Sequence, residues 1–223
     1  MNKFVQILID DPEQAQERLD LSTDDERQVI LDSALLAAVG IKDMEILRWL
    51  IARGADVNYR TDDNSYNSVL EKASTFADAN SLEALKLILA SGIRKEEFPE
   101  AVWHCVDARV ILGAHSNGEE KESQIALEML LKAGFPVDFA PGEEGNTPLH
   151  EAVRYYHKNP DFCQAGDMVP ILLSYGASPL ARNAKGETPL DFAIRNEDAV
   201  NIALMQRLIR DGYIPRSLLR FRF

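Results

Sequence analysis

The sequence predicts an all-α stack of helix-turn-helix units, and three observations predict it. Five apolar patterns of helical period each end in a glycine, the residues after those glycines resemble one another, and two of the next patterns open on Thr-Pro. Self-similarity at a set spacing decides a fold before any single motif does, because a unit too small to bury its own apolar face has to stack on a neighbour. Composition agrees: of 223 residues, 46% are hydrophobic and 27% charged, ordinary for a globular chain and too apolar for a disordered one.

In chain order, residues 1–28 read as a helical N-terminal cap. One short amphipathic helix centres on Phe4, Val5, Leu8 and Ile9, and a second opens at Pro12 and runs to Leu19. Together they seal the open apolar face of the first repeat, as a stacked array requires. The five glycine-terminated patterns are Glu45 to Gly54, Glu83 to Gly92, Ala126 to Gly134, Asp167 to Gly176 and Ala203 to Gly212. Each carries apolar pairs and triples at matching distances before its glycine, as an amphipathic helix does. Glycine just past the last periodic residue is a left-handed helix stop, a conformation it takes without steric cost. The chain then enters an extended turn: Gly54-Ala55-Asp56-Val57-Asn58, Gly134-Phe135-Pro136-Val137-Asp138 or Gly176-Ala177-Ser178-Pro179. The following helix begins most plainly at Gly145-Asn146-Thr147-Pro148-Leu149-His150 and at Gly186-Glu187-Thr188-Pro189-Leu190-Asp191. Threonine as N-cap accepts a backbone N–H, and proline at the first helical position supplies its fixed φ where no N–H partner is needed.

These residues closely resemble the ankyrin repeat, a turn, a short helix opened by Thr-Pro-Leu-His, a second helix and a Gly-Ala-Asp-type exit. The resemblance covers residues 30 to 215 and implies an ankyrin-repeat solenoid of five repeats, 29–58, 59–96, 97–138, 139–180 and 181–215. Residues 216–223 are then a short C-terminal cap or tail, and the whole is one continuous domain. The resemblance also implies that His150 ties its turn together. Asp191 stands at that position in the fifth repeat, while Ser33-Ala34-Leu35-Leu36 and Ser68-Val69-Leu70-Glu71 replace the tetrapeptide in the first two, so those turns are expected to be held less tightly. In the third, Ala101-Val102-Trp103-His104-Cys105-Val106 fits the register without the Thr-Pro opening, and His104 reads as a buried turn residue.

From Gly54 onward the glycines lie 38, 42, 42 and 36 residues apart, against about 33 for a standard unit. The excess falls between the two helices of a unit, at Arg109 to Ser123 and Arg154 to Gly166, where an array lets insertions emerge as loops. Ala114 to Ser123 reads as a polar, acidic loop; Tyr155 to Phe162 is aromatic, as contact surfaces are.

Thirty-six acidic against 24 basic side chains give a formal charge of −12, which argues against a nucleic-acid partner. The N-terminal apolar run ends at Asp10-Asp11, too short and too acidic for a signal peptide, and nothing approaches the roughly 18 apolar residues of a membrane span. A cytoplasmic location is the expectation. Cys105 and Cys163 are too few for a disulfide framework and read as buried thiols. Catalytic signatures are missing: no Gly-x-Ser-x-Gly, no phosphate-binding glycine loop, no His-Glu-x-x-His. Glu143-Glu144 and Asp62-Asp63 have too few oxygen neighbours for Ca²⁺. No enzyme, no cofactor and no metal are expected.

What the resemblance implies instead is a protein partner held on the concave side, at the turn tips and the exposed face of each first helix. Carried over by register, the candidates are Tyr59, Asp62, Asp63, Tyr66, Phe76, Phe139, Glu143, Glu144, Arg154, Tyr155, Tyr156, Lys185, Glu187 and Arg195, with Arg60, Thr75, Asn146, Arg182 and Asn196 beside them. Aromatic anchors in an acidic field favour a basic protein partner. An inhibitor or immunity-type role is the sharper form of that reading. A homo-oligomer built on Tyr155 to Phe162 or on Phe221 and Phe223 is the alternative to the expected monomer.

Overall fold

The computed structural model describes residues 2–61, 68–75, 79–112, 120–154 and 168–212. Among them the regular structure is helical, apart from an isolated bridge between Arg60 and Ser68. No helix there is long and apolar enough to cross a membrane. The chain falls into two compact units, Met1–Glu97 and Phe98–Phe223.

The first unit opens with α1 (Lys3–Asp10) and α2 (Pro12–Asp20), the two short helices expected. Asn2 caps α1 by accepting the amides of Phe4 and Val5, and Asp11 caps α2 by accepting that of Gln14, with Pro12 at the first helical position. Phe4, Val5 and Leu8 are buried where α1 packs on α3 (Asp24–Ile41) and α4 (Met44–Ala52), Phe4 lying 6.4 Å from the Trp49 ring. The pairs α3/α4 and α5/α6 (Val69–Thr75, Ala79–Ala90) enclose Leu35, Leu47, Leu50, Leu70, Leu85 and Ile88, all fully buried; each such side chain stabilises by about 1.5–3 kcal/mol.

Two expectations for this unit change. Ser33 does not start a helix: α3 runs unbroken through it, opened at Thr23 by a reciprocal capping box with Glu26 and closed at Lys42 in the left-handed conformation, φ 60°. The Ser68 turn is firmly held, because Ser68 Oγ accepts the Glu71 amide at 3.0 Å and the Glu71 carboxylate accepts the Ser68 amide at 3.2 Å, a capping box in place of Thr-Pro-Leu-His.

The second unit holds α7 (Ala101–Leu112), α8 (Glu120–Ala133), α9 (Pro148–Arg154), α10 (Met168–Ser174), α11 (Pro189–Arg195) and α12 (Ala199–Arg210). Phe98, Val102, Leu127, Leu130, Leu149, Leu172 and Met205 fill its interior. Cys105 is buried among them, its thiol pushed up to about 12 by desolvation. Glu120 to Ser123, expected in a loop, instead open α8. Residues 113–119, 155–167, with the aromatic insertion and Cys163, and the tail from 213 lie outside the described residues.

All five glycines at the helix ends take positive φ: 92° at Gly54, Gly92 and Gly176, 94° at Gly134 and 78° at Gly212. At Gly54, Gly92 and Gly212 a Cβ would meet nothing within 4 Å, so the requirement there is conformational and not steric. A second repeated device follows them. Asn58 and Asp138, each four residues past such a glycine, accept the backbone amide two residues past the next one, Arg94 at 2.7 Å and Ser178 at 3.0 Å.

Candidate functional site

The Thr-Pro turns of the second unit carry a continuous hydrogen-bonded polar network. In the first, His150 Nδ1 accepts the Thr147 amide at 3.1 Å and lies 2.8 Å from the Thr147 hydroxyl. With Nδ1 an acceptor, Nε2 carries the proton and donates to the Glu187 carbonyl, 3.0 Å away and 37 residues on. Burial holds this imidazole below its ordinary 6.5 and keeps it neutral, against the Glu187 carbonyl and the nearby carboxylates of Glu187 and Asp191, which favour the proton. Its ring meets Phe192 edge-on at 5.3 Å. His150 therefore ties its own turn together, as the resemblance implied, and in addition reaches the next repeat.

Two buried asparagines continue the lattice. Asn146 donates to Glu151 at 2.8 Å and to Glu144 at 3.0 Å, and its own Oδ1 accepts from Asn183 Nδ2 at 2.9 Å. Asn183 Oδ1 accepts the amides of Lys185 and Glu187. Trp103 Nε1 donates to the Asn146 carbonyl at 3.0 Å, so the residue at the leucine position of the third repeat pins the turn of the fourth. Gly145, φ 64°, lies against the next turn: a Cβ there would sit 3.3 Å from the Ala184 nitrogen.

The arginines mounted on this lattice are engaged. Glu144 meets Arg154 at 3.1 Å, Glu187 meets Arg195 at 2.8 Å, and Arg182 donates to the Gly186 carbonyl at 2.6 Å. Each pair joins a turn acid to the arginine that ends the helix which that turn opens, around a polar cleft of about 140 Å³. Glu151, one helical turn before Arg154, is 2% exposed; desolvation raises its carboxyl, as do Asp107 and Glu144, while Asn146 and Arg154 oppose the shift. Its Oε2 has no hydrogen-bond partner.

Of the candidates named from sequence, Phe139, Glu143, Glu144, Arg154, Lys185 and Arg195 are exposed and Glu187 half-buried, all in the second unit; Tyr59 is half-buried in the first. Asp62, Asp63, Tyr66, Phe76, Tyr155 and Tyr156 lie outside the described residues. Three neighbouring positions turn out to be engaged within the fold. Asn146 is buried in the lattice, Thr75 is buried with its hydroxyl on the Glu71 carbonyl, and Asn196 donates to the carbonyls of Val153 and Arg154. Sequence reasoning missed Leu180, 53% exposed, which stands four residues past Gly176 where Asn58 and Asp138 stand in their repeats. An apolar residue at a position otherwise used for a polar tie was the available signal.

Comparison with known proteins gives the same architecture. A family model described as Ankyrin repeat matches residues 31–62 and 144–184. The chain is 36% identical over 90 residues to mouse "Ankyrin repeat and SOCS box protein 16", and 35% identical over 74 residues to human "2-5A-dependent ribonuclease". It is 26% identical over 190 residues to "Putative ankyrin repeat protein FPV031" of fowlpox virus. These matches cover 40%, 33% and 82% of the chain but span only 18%, 9% and 49% of the relatives' own lengths.

Proposed function

Because the chain belongs to the ankyrin repeat family, and is on that account a protein–protein interaction module, we propose that it acts without catalysis, by holding a protein partner on the turn tips of its second unit. The observation that carries this reading is the buried Asn146–Asn183 lattice beneath those tips. Phe139, Glu143, Leu180 and Lys185 stand exposed on a backbone that is ordered before a partner arrives, which lowers the entropy lost on binding. Phe139 and Leu180 supply apolar contact, and the Glu144–Arg154 and Glu187–Arg195 pairs supply fixed polar registration. The net charge of −12 favours a partner with a basic surface, because it speeds encounter. Tyr59, Asp62, Asp63, Tyr66, Phe76, Tyr155 and Tyr156 join this contact set by register alone. The ribonuclease activity in one relative's name stays with that protein, since the match spans 9% of it.

The test is chemical cross-linking with mass spectrometry in the native cell, comparing the chain with a variant carrying Phe139→Ala, Leu180→Ala and Lys185→Glu. All three side chains are exposed, so melting temperature is expected to hold while cross-linked partner falls by about tenfold or more. Lys132→Ala, which removes only the surface pair with Glu128, serves as control and keeps the partner. Equal partner yield from the triple variant and the control would remove the tips from the interface.

A further inference from the structure

The acid surplus is concentrated away from the turn tips. Between Asp10 and Glu26 the sequence holds eight acids, Asp10, Asp11, Glu13, Glu17, Asp20, Asp24, Asp25 and Glu26, against the single base Arg18. The tips of the second unit are nearly balanced, Glu143, Glu144 and Glu187 facing Arg154, Arg182, Lys185 and Arg195.

This acidic stretch frames an apolar groove. The seven residues that open α3, Asp24–Ile30, contain no fully buried side chain; burial begins at Leu31. Helical residues usually owe their order to an apolar face packed on something. Here the capping box, with Glu26 accepting from the Thr23 amide at 3.1 Å and hydroxyl at 3.0 Å, and the acidic first turn hold two helical turns that bury no side chain fully and touch their unit through bonds from Arg27 to the Leu19 carbonyl and from Gln28 to the Gly54 carbonyl. Between them and α2 lies an open groove of about 810 Å³. Leu21, 81% exposed, and Val29, 65% exposed, form its apolar surface with Ile30, and the three acids Glu17, Asp25 and Glu26 outnumber the one base, Arg18, along its edge.

The chain carries one segment of the complementary chemistry. No acid follows Asp211, and residues 216–223 set Arg216, Arg220 and Arg222 among Leu218, Leu219, Phe221 and Phe223. We propose that the α2/α3 groove receives residues 216–223 of a second copy of this chain, with the leucines and phenylalanines on Leu21, Val29 and Ile30 and the arginines on the acidic edge. A groove on one copy filled by the tail of another is a head-to-tail contact, which adds further copies rather than closing as a two-fold dimer does.

The test uses full-length chains in sedimentation equilibrium between about 1 µM and about 1 mM, the range in which weak contacts are populated. The wild-type weight-average mass is expected to rise with concentration beyond that of a dimer, and the association constant to fall about tenfold or more as salt screens the arginines. A groove variant, Leu21→Asp with Val29→Asp, and a tail variant, Arg216→Glu with Arg220→Glu and Arg222→Glu, are each expected to remain monomeric. The groove variant alters only exposed side chains, and an unchanged melting curve verifies that it is folded. Mixed, the two variants form a one-to-one complex that grows no further, because one retains only its tail and the other only its groove. A wild type monomeric at every concentration, variants that associate like the wild type, or a mixture that stays monomeric would each overturn the proposal. None of these results bears on the tip surface, which neither variant touches.

Discussion

The turns at Thr147 and Thr188 share the opening Thr-Pro-Leu and then differ by one residue, and that residue decides how far each turn reaches. His150 closes its own turn through Nδ1 and, through Nε2, bonds the carbonyl of Glu187 in the next repeat. Asp191 closes its turn with equal economy: its carboxylate accepts the Thr188 amide at 2.7 Å and hydroxyl at 2.8 Å, and Thr188 Oγ1 accepts the Asp191 amide at 3.2 Å. Those bonds lie within its own turn. Histidine has two nitrogens on opposite sides of a flat ring, so it spans two repeats, whereas a short carboxylate serves one. The lesson concerns side-chain geometry: a ring with an acceptor and a donor on opposite edges ties two repeats together, and a carboxylate engaged in its own cap holds one turn.

The largest expected effect breaks the longer tie. His150→Ala leaves the Thr147 amide and the Glu187 carbonyl without their partners and opens space beside Phe192. A cost of about 3 kcal/mol follows from two orphaned backbone groups and the lost ring, measured by urea unfolding at pH 8. The same variant carries the pH test. The folded imidazole lies below its ordinary 6.5, so it is the neutral ring that stabilises the fold; that stability is complete above pH 6.5 and is lost as pH falls from there. The gap between wild type and His150→Ala therefore narrows between about pH 7 and pH 5. A gap that is constant across that range would mean that the ring's neutrality contributes nothing.

Asp191→Ala is expected to cost less, about 1 kcal/mol, as the loss of a cap usually does. Bonds from the Thr188 amide and hydroxyl hold the Asp191 carboxyl below its ordinary 3.8, so its contribution is present above that value and is lost only as pH falls below it. At pH 5 the Asp191 gap should still be whole while the His150 gap has narrowed. Denaturant midpoints for both variants at pH 8 and pH 5 separate the two turns directly. Identical pH behaviour would show that the two residues act through a shared structural effect and not through their own titrations.

How much of this was legible depends on how local the cause is. Glycine at a helix end acts through its own φ, and the five glycines picked from spacing alone all take the left-handed turn. Pro12, Thr188 and Pro189 act within four residues, and the helices they open lie where expected. What escaped is non-local or depends on competition between signals. Ser33 looks like a helix start, but the capping box at Thr23 begins the helix earlier and nothing breaks it before Lys42. Asn146 and Asn183 look like solvated turn residues because the bond between them joins positions 37 residues apart. Glu144 and Arg154 look like independent surface charges, and only the return of the helix against its turn makes them a pair. The acidic run beside exposed Leu21 and Val29 was legible as composition, and the groove it edges was not, because that depends on the angle at which α2 leaves α3.

The smallest effect concerns the one carboxylate that the lattice does not satisfy. Desolvation, Asp107 and Glu144 together raise the Glu151 carboxyl above its ordinary 4.5, so its contribution is favourable while it is protonated and is lost as pH rises through the raised value. At neutral pH its charge is thus a net cost, with Asn146 and the Arg154 guanidinium 3.6 Å away offsetting only part of it. Glu151→Gln keeps an acceptor for Asn146, removes the charge and loses a contact to an arginine that Glu144 also holds. The variant is expected to be more stable than the wild type by about 0.5–1 kcal/mol at pH 8, the scale of relieving one poorly solvated charge, and equal to it near pH 4.5. Destabilisation at pH 8 would show instead that Arg154 needs both carboxylates. The Glu144–Arg154 pair would then depend on a buried partner in a way that the Glu187–Arg195 pair in the neighbouring turn does not.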